Sequence, residues 1–151
     1  MKIVLTATGG GHLEQIKQLK DLGIDNEVRF LVAKNSVNNS LQGYDFLPEY
    51  RTEKKLLRFF DLIKIFIASY KYLKKHKPDV VISTGAGMTY PICRLQKKIF
   101  KKKVIYIESF ARRTTASKTG RKVYKFADYF IVQWESMLKV YPNAIYGGMI
   151  Y

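Results

Sequence analysis

Hydrophobic residues recur along this chain in two alternating rhythms. Short β-rich runs stand at Ile3–Leu5, Glu27–Ala33, Tyr44–Leu47, Val80–Thr84, Val104–Ile107 and Tyr129–Val132. The runs at Val80 and Val104 are continuously apolar, as expected of strands buried on both faces of a parallel sheet. Between the runs, apolar positions return every three or four residues, the spacing of one helix face. Leu13, Ile16, Leu19 and Leu22 predict a helix of about three turns from His12, stopped by Gly23. Lys54 to Lys75 predicts the longest helix, with Leu56, Phe59, Phe60, Leu62, Ile63, Phe66, Ile67, Tyr70 and Leu73 in one wide apolar arc. Ile65 and Tyr72 fall outside that arc, among the lysines. A third helix is expected over Thr89–Phe100, and short ones after Arg121 and over Trp134–Tyr141. Residues 35–43, rich in Asn and Ser, read as a loop, and 142–151 as a tail.

Strands alternating with helices at this spacing imply βαβ units. The fold class is therefore α/β: a single Rossmann-like domain over residues 1–151, its parallel sheet covered by helices on both faces. Ligands of such sheets bind at the carboxyl ends of the strands. Three strand ends here carry chemistry. The first holds Thr8, Gly9, Gly10, Gly11 and His12; the second Thr84, Gly85 and Gly87; the third Glu108, with Arg112 and Arg113 close behind. The glycines permit sharp turns and close backbone approach, and a helix start beyond them favours an anion. The first loop is neither a Walker A motif nor a full Gly-x-Gly-x-x-Gly fingerprint.

Composition sharpens this picture. The 151 residues are 47% hydrophobic, too many for a disordered chain. A lone cysteine, Cys93, excludes an internal disulfide and reads as a buried apolar thiol. His12 and His76 are too far apart for a local metal motif, and no Asp-x-Asp occurs, so no metal or other cofactor is called for. The chain opens on a core strand, with no signal peptide expected, and no apolar run is long enough to span a bilayer.

Net charge is +15, and it is unevenly spread. Residues 1–50 hold 5 Lys/Arg against 6 Asp/Glu, whereas residues 51–151 hold 22 against 6. That imbalance calls for an anionic partner: nucleic acid, a membrane surface or a phosphorylated substrate. Lysines flank the long apolar arc, a pattern shared by interfacial membrane helices and by ordinary core helices. If it is interfacial, Phe59, Phe60, Ile63 and Phe66 would enter the membrane surface while Lys64 and Lys71 meet its headgroups.

The combination of Thr8–His12, Ser83–Gly87 and Tyr106–Phe110 resembles the acceptor-side half of inverting GT-B glycosyltransferases. It is most similar to the membrane-associated subunit of the two-chain transferase that adds the second N-acetylglucosamine to a dolichol-linked sugar. Bacterial relatives of that subunit work in capsular and exopolysaccharide assembly. The N-terminal domain of the peptidoglycan lipid I N-acetylglucosaminyltransferase carries similar loops. The resemblance implies that this chain is the N-terminal half of a GT-B fold. It would bind a polyprenyl-diphosphate-linked sugar, with a separate chain holding the UDP-sugar. It also implies that Gly9–Gly11 and Gly85–Gly87 line the acceptor's diphosphate and sugar, with His12 at the cleft. Arg112 and Arg113, with Lys118, are candidates to bind diphosphate.

An inverting transfer needs one general base. His12 and Glu108 both qualify by type. His12 also fits a helix-capping role, and Glu108 an ion pair with Arg112 or Arg113. The implied location is the cytoplasmic face of the plasma membrane, peripherally bound, with residues 142–151 as a partner-docking tail. Two other readings compete. A nucleic-acid-binding module fits the charge but lacks a recognised motif. A stand-alone dinucleotide enzyme lacks an acidic residue after Val32 to hold a ribose.

Overall fold

The computed structural model of the chain describes residues 1–34, 42–50 and 55–150. Seven strands form one parallel sheet: β1 (Lys2–Ala7), β2 (Glu27–Ala33), β3 (Tyr44–Leu47), β4 (Val80–Ser83), β5 (Lys103–Ile107), β6 (Tyr129–Val132) and β7 (Ile145–Tyr146). Their order is β3-β2-β1-β4-β5-β6-β7. Ile3 lies opposite Val28 on one side and Val80 on the other, which places like side chains on like faces along the sheet. Four helices accompany it: α1 (Gly11–Lys17), α2 (Lys55–His76), α3 (Thr89–Lys98) and α4 (Lys118–Val123).

Chain direction decides which face each helix covers. From β1 the strands step outward to β3, and α1 packs Leu13 and Ile16 on the face of Ile3, Leu5, Ala7 and Ile82. The chain then crosses back and steps the other way from β4. Right-handed crossovers accordingly lay α2, α3 and α4 on the opposite face, over Val4, Val81, Val104 and Phe130. The step order reverses between β1 and β4, the place where sheets of this kind open a crevice. The same rule leaves the α1 face without a crossover helix beyond β4. There Ile105 and Ile131 are half-buried, and Ile145 is 49% exposed.

Several expectations change. The first helix ends at Lys17 after two turns instead of three, and Lys20–Gly23 continues as a 3₁₀ turn. The tightening begins where Gln18 and Leu19 bond to carbonyls three residues back. The final short helix is likewise a 3₁₀ turn, Glu135–Lys139. The tail is not loose: Ile145–Tyr146 joins the sheet edge, parallel to β6. The loop expected over 35–43 and the helix start at Lys54 lie largely outside the described residues.

The clearest correction concerns α2. Its buried stripe is Asp61, Ile65, Ser69 and Leu73, one residue per turn. Ile65, placed among the lysines by periodicity, is fully buried, whereas Phe59, Phe60, Ile67 and Tyr70 of the predicted apolar arc are 58%, 52%, 51% and 41% exposed. Periodicity finds the most apolar side of a helix. The side that packs is set instead by close approach of α2 to α3 and the sheet, and the small residues Ala68 and Ser69 are among its half-buried and buried positions. Most of the predicted arc faces outward; Phe66 is half-buried, and Lys64 and Lys71 are exposed.

Candidate functional site

Two loops meet at the crevice between β1 and β4. His12 sits in the first turn of α1, half-buried, and its Nδ1 lies 2.7 Å from the Thr84 carbonyl oxygen. A carbonyl only accepts, so Nδ1 carries the proton and Nε2 presents a lone pair. The Thr84 hydroxyl donates in return to the His12 carbonyl at 2.8 Å. The two loops are thus latched in both directions by one residue pair.

The second loop is tightly made. Gly85 has φ +113°, a conformation L residues avoid, and an added Cβ would lie 3.0 Å from His12 Cε1 and 3.2 Å from the Tyr106 hydroxyl. Glycine here therefore serves both the turn and the imidazole. Ala86 also has positive φ, +76°. Beneath it, Thr89 Oγ1 lies 3.1 Å from the Gly85 carbonyl and 2.9 Å from that of Ala86, while accepting from Ser83 Oγ. That buried network is what holds an unfavourable backbone in place. Cys93 is fully buried on α3, its thiol pushed up to about 12 by burial, so it is chemically inert.

Glu108 follows β5 and is 1% exposed. Its Oε1 accepts from the Ser109 N–H at 2.9 Å. Its Oε2 accepts from the Ser117 N–H, the Ser117 hydroxyl and the Tyr141 hydroxyl at 3.2, 3.1 and 2.7 Å. Among the described residues no arginine or lysine pairs with it. Burial, and then the bond to Glu108, push the Tyr141 phenol well above its ordinary range, which keeps it a donor. Gly120 in α4 packs directly on this carboxylate. Ser117 caps α4 by accepting from Gly120 N–H at 2.8 Å, so Glu108 fixes the start of that helix.

The start of α4 forms a wall shared by two clefts. One, of about 410 Å³, is lined by His12, Ala86, Ser109, Arg112, Ser117, Lys118 and Thr119. The other, also about 410 Å³, lies across Lys118 and Thr119 and is lined by Tyr50, Arg58, Phe59, Leu62, Gly87, Tyr90 and Lys122. The structure therefore brings His12, Arg112 and Lys118 into one cleft. Glu108 stands behind its wall, and Thr84 and Gly85 lie beneath it. Thr8, Gly9, Gly10 and Gly11 form the turn into α1 without lining the cleft. Arg113 points elsewhere: its guanidinium stacks 4.0 Å from the centre of the Trp134 ring, whose indole N–H donates to the Phe110 carbonyl at 2.7 Å. Sequence reasoning missed Ser117 and Tyr141. Their signal lay in a serine three residues before a glycine and in a tyrosine distant in sequence, and neither is distinctive without the fold. Among the described residues, no cluster of three metal-ligating side chains occurs, and no helix is long and apolar enough to cross a membrane.

A seven-stranded Rossmann-like sheet whose switch-point crevice joins two glycine turns to a histidine and a basic wall is a GT-B half-domain. The crystal structure of Acinetobacter baumannii MurG shares this fold with a TM-score of 0.67 at 20% identity, covering 87% of this chain and 41% of that one. The chain belongs to the family described as Oligosaccharide biosynthesis protein Alg14 like, whose model matches residues 52–150. The human UDP-N-acetylglucosamine transferase subunit ALG14 is 39% identical over 87 residues, 54% of this chain and 40% of that protein. A Clostridium perfringens UDP-N-acetylglucosamine--N-acetylmuramyl-(pentapeptide) pyrophosphoryl-undecaprenol N-acetylglucosamine transferase is 34% identical over 60% of this chain and 29% of its own length. The matched region is thus well under half the length of either relative.

Proposed function

We propose that this chain is the acceptor-binding subunit of an inverting glycosyltransferase. It would move a sugar from a UDP-sugar onto a polyprenyl-diphosphate-linked sugar, in capsular, exopolysaccharide or other glycan assembly at the cytoplasmic face of the plasma membrane. The observation that carries this reading is the His12–Thr84 bond. It leaves a basic Nε2 at the edge of a cleft whose other polar walls are Arg112, Lys118 and hydroxyls. A proton acceptor beside cations is what attack by a sugar hydroxyl next to a diphosphate requires.

In this mechanism the acceptor diphosphate lies against Arg112 and Lys118. The acceptor hydroxyl attacks C1 of the donor sugar from the face opposite the UDP. The new C–O bond forms as the bond to the UDP oxygen breaks, and UDP leaves with that electron pair. His12 Nε2 takes the hydroxyl proton, and the Thr84 carbonyl stabilises the resulting imidazolium through Nδ1–H. Glu108, buried and accepting four hydrogen bonds, acts as a positioning residue for the α4 wall.

Two surfaces support a partner and a membrane. The α1 face of β5–β7 leaves Ile105, Ile131, Ile145 and Tyr129 incompletely covered, Ile145 being part of the segment expected to dock a partner. Apolar sheet surface left open in this way suits a docked chain, here the donor-binding half. The outward arc of α2, with Phe59, Phe60 and Ile63 exposed and Lys64 and Lys71 together along one edge, suits an anionic bilayer. Relatives named as transferase subunits agree with a divided enzyme.

The test is reconstitution. Supplied with a polyprenyl-diphosphate sugar and a UDP-sugar, the purified chain is expected to be inactive. Transfer should appear on adding a second Rossmann-like chain that binds UDP-sugar. Full turnover by the chain alone would sink the divided-enzyme reading.

A further inference from the structure

A separate pocket lies at the opposite end of the sheet from the crevice, between the C-terminal ends of α2 and α3. It measures about 220 Å³, and its walls include Leu73, Pro78 and Phe100. A 150 Å³ cavity lined by apolar side chains is already large enough to hold benzene, so this one admits a short alkyl segment. Its rim carries Lys74, Lys77 and Lys102. Lys102 pairs with Asp79 at 3.2 Å; among the described residues no carboxylate pairs with Lys74 or Lys77. An apolar hollow under ammonium groups matches one ligand chemistry: an alkyl chain joined to an anionic head.

The pocket is also continuous with the exposed side of α2. Tyr70, the last of the outward aromatic residues, packs on Phe100 with ring centres 5.6 Å apart, and Ile99 beside it is 59% exposed. From Phe59 to Tyr70 the outward arc runs about 17 Å at the helical rise, and it leads to the pocket mouth. A bilayer lying along α2 would therefore present lipid where the pocket opens. Generic interfacial binding needs only apolar residues and nearby lysines. A walled hollow with cations around it adds selectivity for one lipid at a time.

We infer that the pocket bounded by Leu73, Phe100, Lys74 and Lys77 binds one anionic phospholipid, an acyl segment inside and its phosphate at the lysines. The inference rests on the reading of α2 as a membrane-facing helix. It adds a specific lipid site, remote from the acceptor crevice, that would fix how the domain is oriented on the surface.

The experiment uses the full chain in two assays. The first titrates dihexanoyl phosphatidylglycerol or dihexanoyl phosphatidylcholine, each below its micelle concentration, while backbone amide shifts are followed by NMR. Saturable shifts around Leu73, Lys77, Gln96 and Phe100 are expected with the anionic lipid, with at least tenfold weaker affinity for the zwitterionic one. The double variant K74Q/K77Q, altered only at exposed rim positions, should lose at least tenfold in affinity for the anionic lipid while keeping its spectrum elsewhere. The second assay measures sedimentation with phosphatidylglycerol vesicles. Sedimentation without saturable pocket shifts would overturn the lipid site and leave the membrane reading standing. Soluble-lipid binding without sedimentation would keep the pocket and overturn attachment through α2. Equal affinity for the two lipids, or an unaffected double variant, would overturn the site.

Discussion

At the scale of single residues, the decisive fact is which nitrogen of His12 carries the proton. In the neutral ring the Thr84 carbonyl assigns it to Nδ1, which leaves Nε2 as the nitrogen that the proposed mechanism uses. Glu108 has the reverse character: it is 1% exposed, with three donors on Oε2 and one on Oε1. A base must be free to receive a substrate proton. In the reconstituted two-chain enzyme, His12→Ala should lower kcat by about 10²–10⁴, the usual worth of a positioned general base, and should lower thermal stability modestly because the buried Thr84 carbonyl loses its imidazole donor. Steady-state kinetics beside a melting curve checks this, and a wild-type kcat in the variant would remove His12 from the chemistry. The sequence listed both candidates but could not rank them. Their difference lies in Thr84, Ser117 and Tyr141, which are 72, 9 and 33 positions away in the chain.

At the scale of elements, α4 is held by a contact that tolerates no extra atom. A Cβ on Gly120 would overlap the Glu108 carboxylate and come within 2.6 Å of the Tyr141 hydroxyl. The buried Glu108 and Tyr141 side chains and the Ser117 cap would all have to shift. Gly120→Ala should therefore destabilise the domain by about 1–3 kcal/mol, in line with overpacking in closed interiors. Any gain from the better helix propensity of alanine is at most about 1 kcal/mol. Denaturant melts read the balance directly, and a neutral or stabilised variant would mean that the Glu108 cluster is looser than its distances indicate. The strands were legible element by element because buried parallel strands are continuous apolar runs bounded by glycine, proline or charge. The face of α2 was not. Hydrophobic periodicity points to the broad side of Phe59, Ile63 and Ile67, whereas packing selected the line of Asp61, Ile65, Ser69 and Leu73. β7 was also hidden, because two residues before Gly147 carry too short a pattern to announce a strand.

At the scale of the whole molecule, the domain has chemically distinct surfaces. The strand ends form a crevice with a histidine and a basic wall, and the outward side of α2 carries apolar residues with Lys64 and Lys71 along one edge. The α1 face beyond β4 is left open by crossover handedness. A Rossmann-like half with a polar crevice and one sheet face left open is what the proposed division calls for, one substrate held here and the site for the other supplied by a second chain. The most direct test of that division is a binding measurement on the isolated chain. Titration calorimetry would compare a water-soluble short-prenyl diphosphate sugar with UDP-N-acetylglucosamine, in wild type and in Arg112→Ala. Saturable binding of the prenyl diphosphate sugar, weakened at least tenfold by Arg112→Ala, with no measurable uptake of the UDP-sugar, is the predicted result. Tight binding of the UDP-sugar with none of the prenyl diphosphate sugar would contradict it.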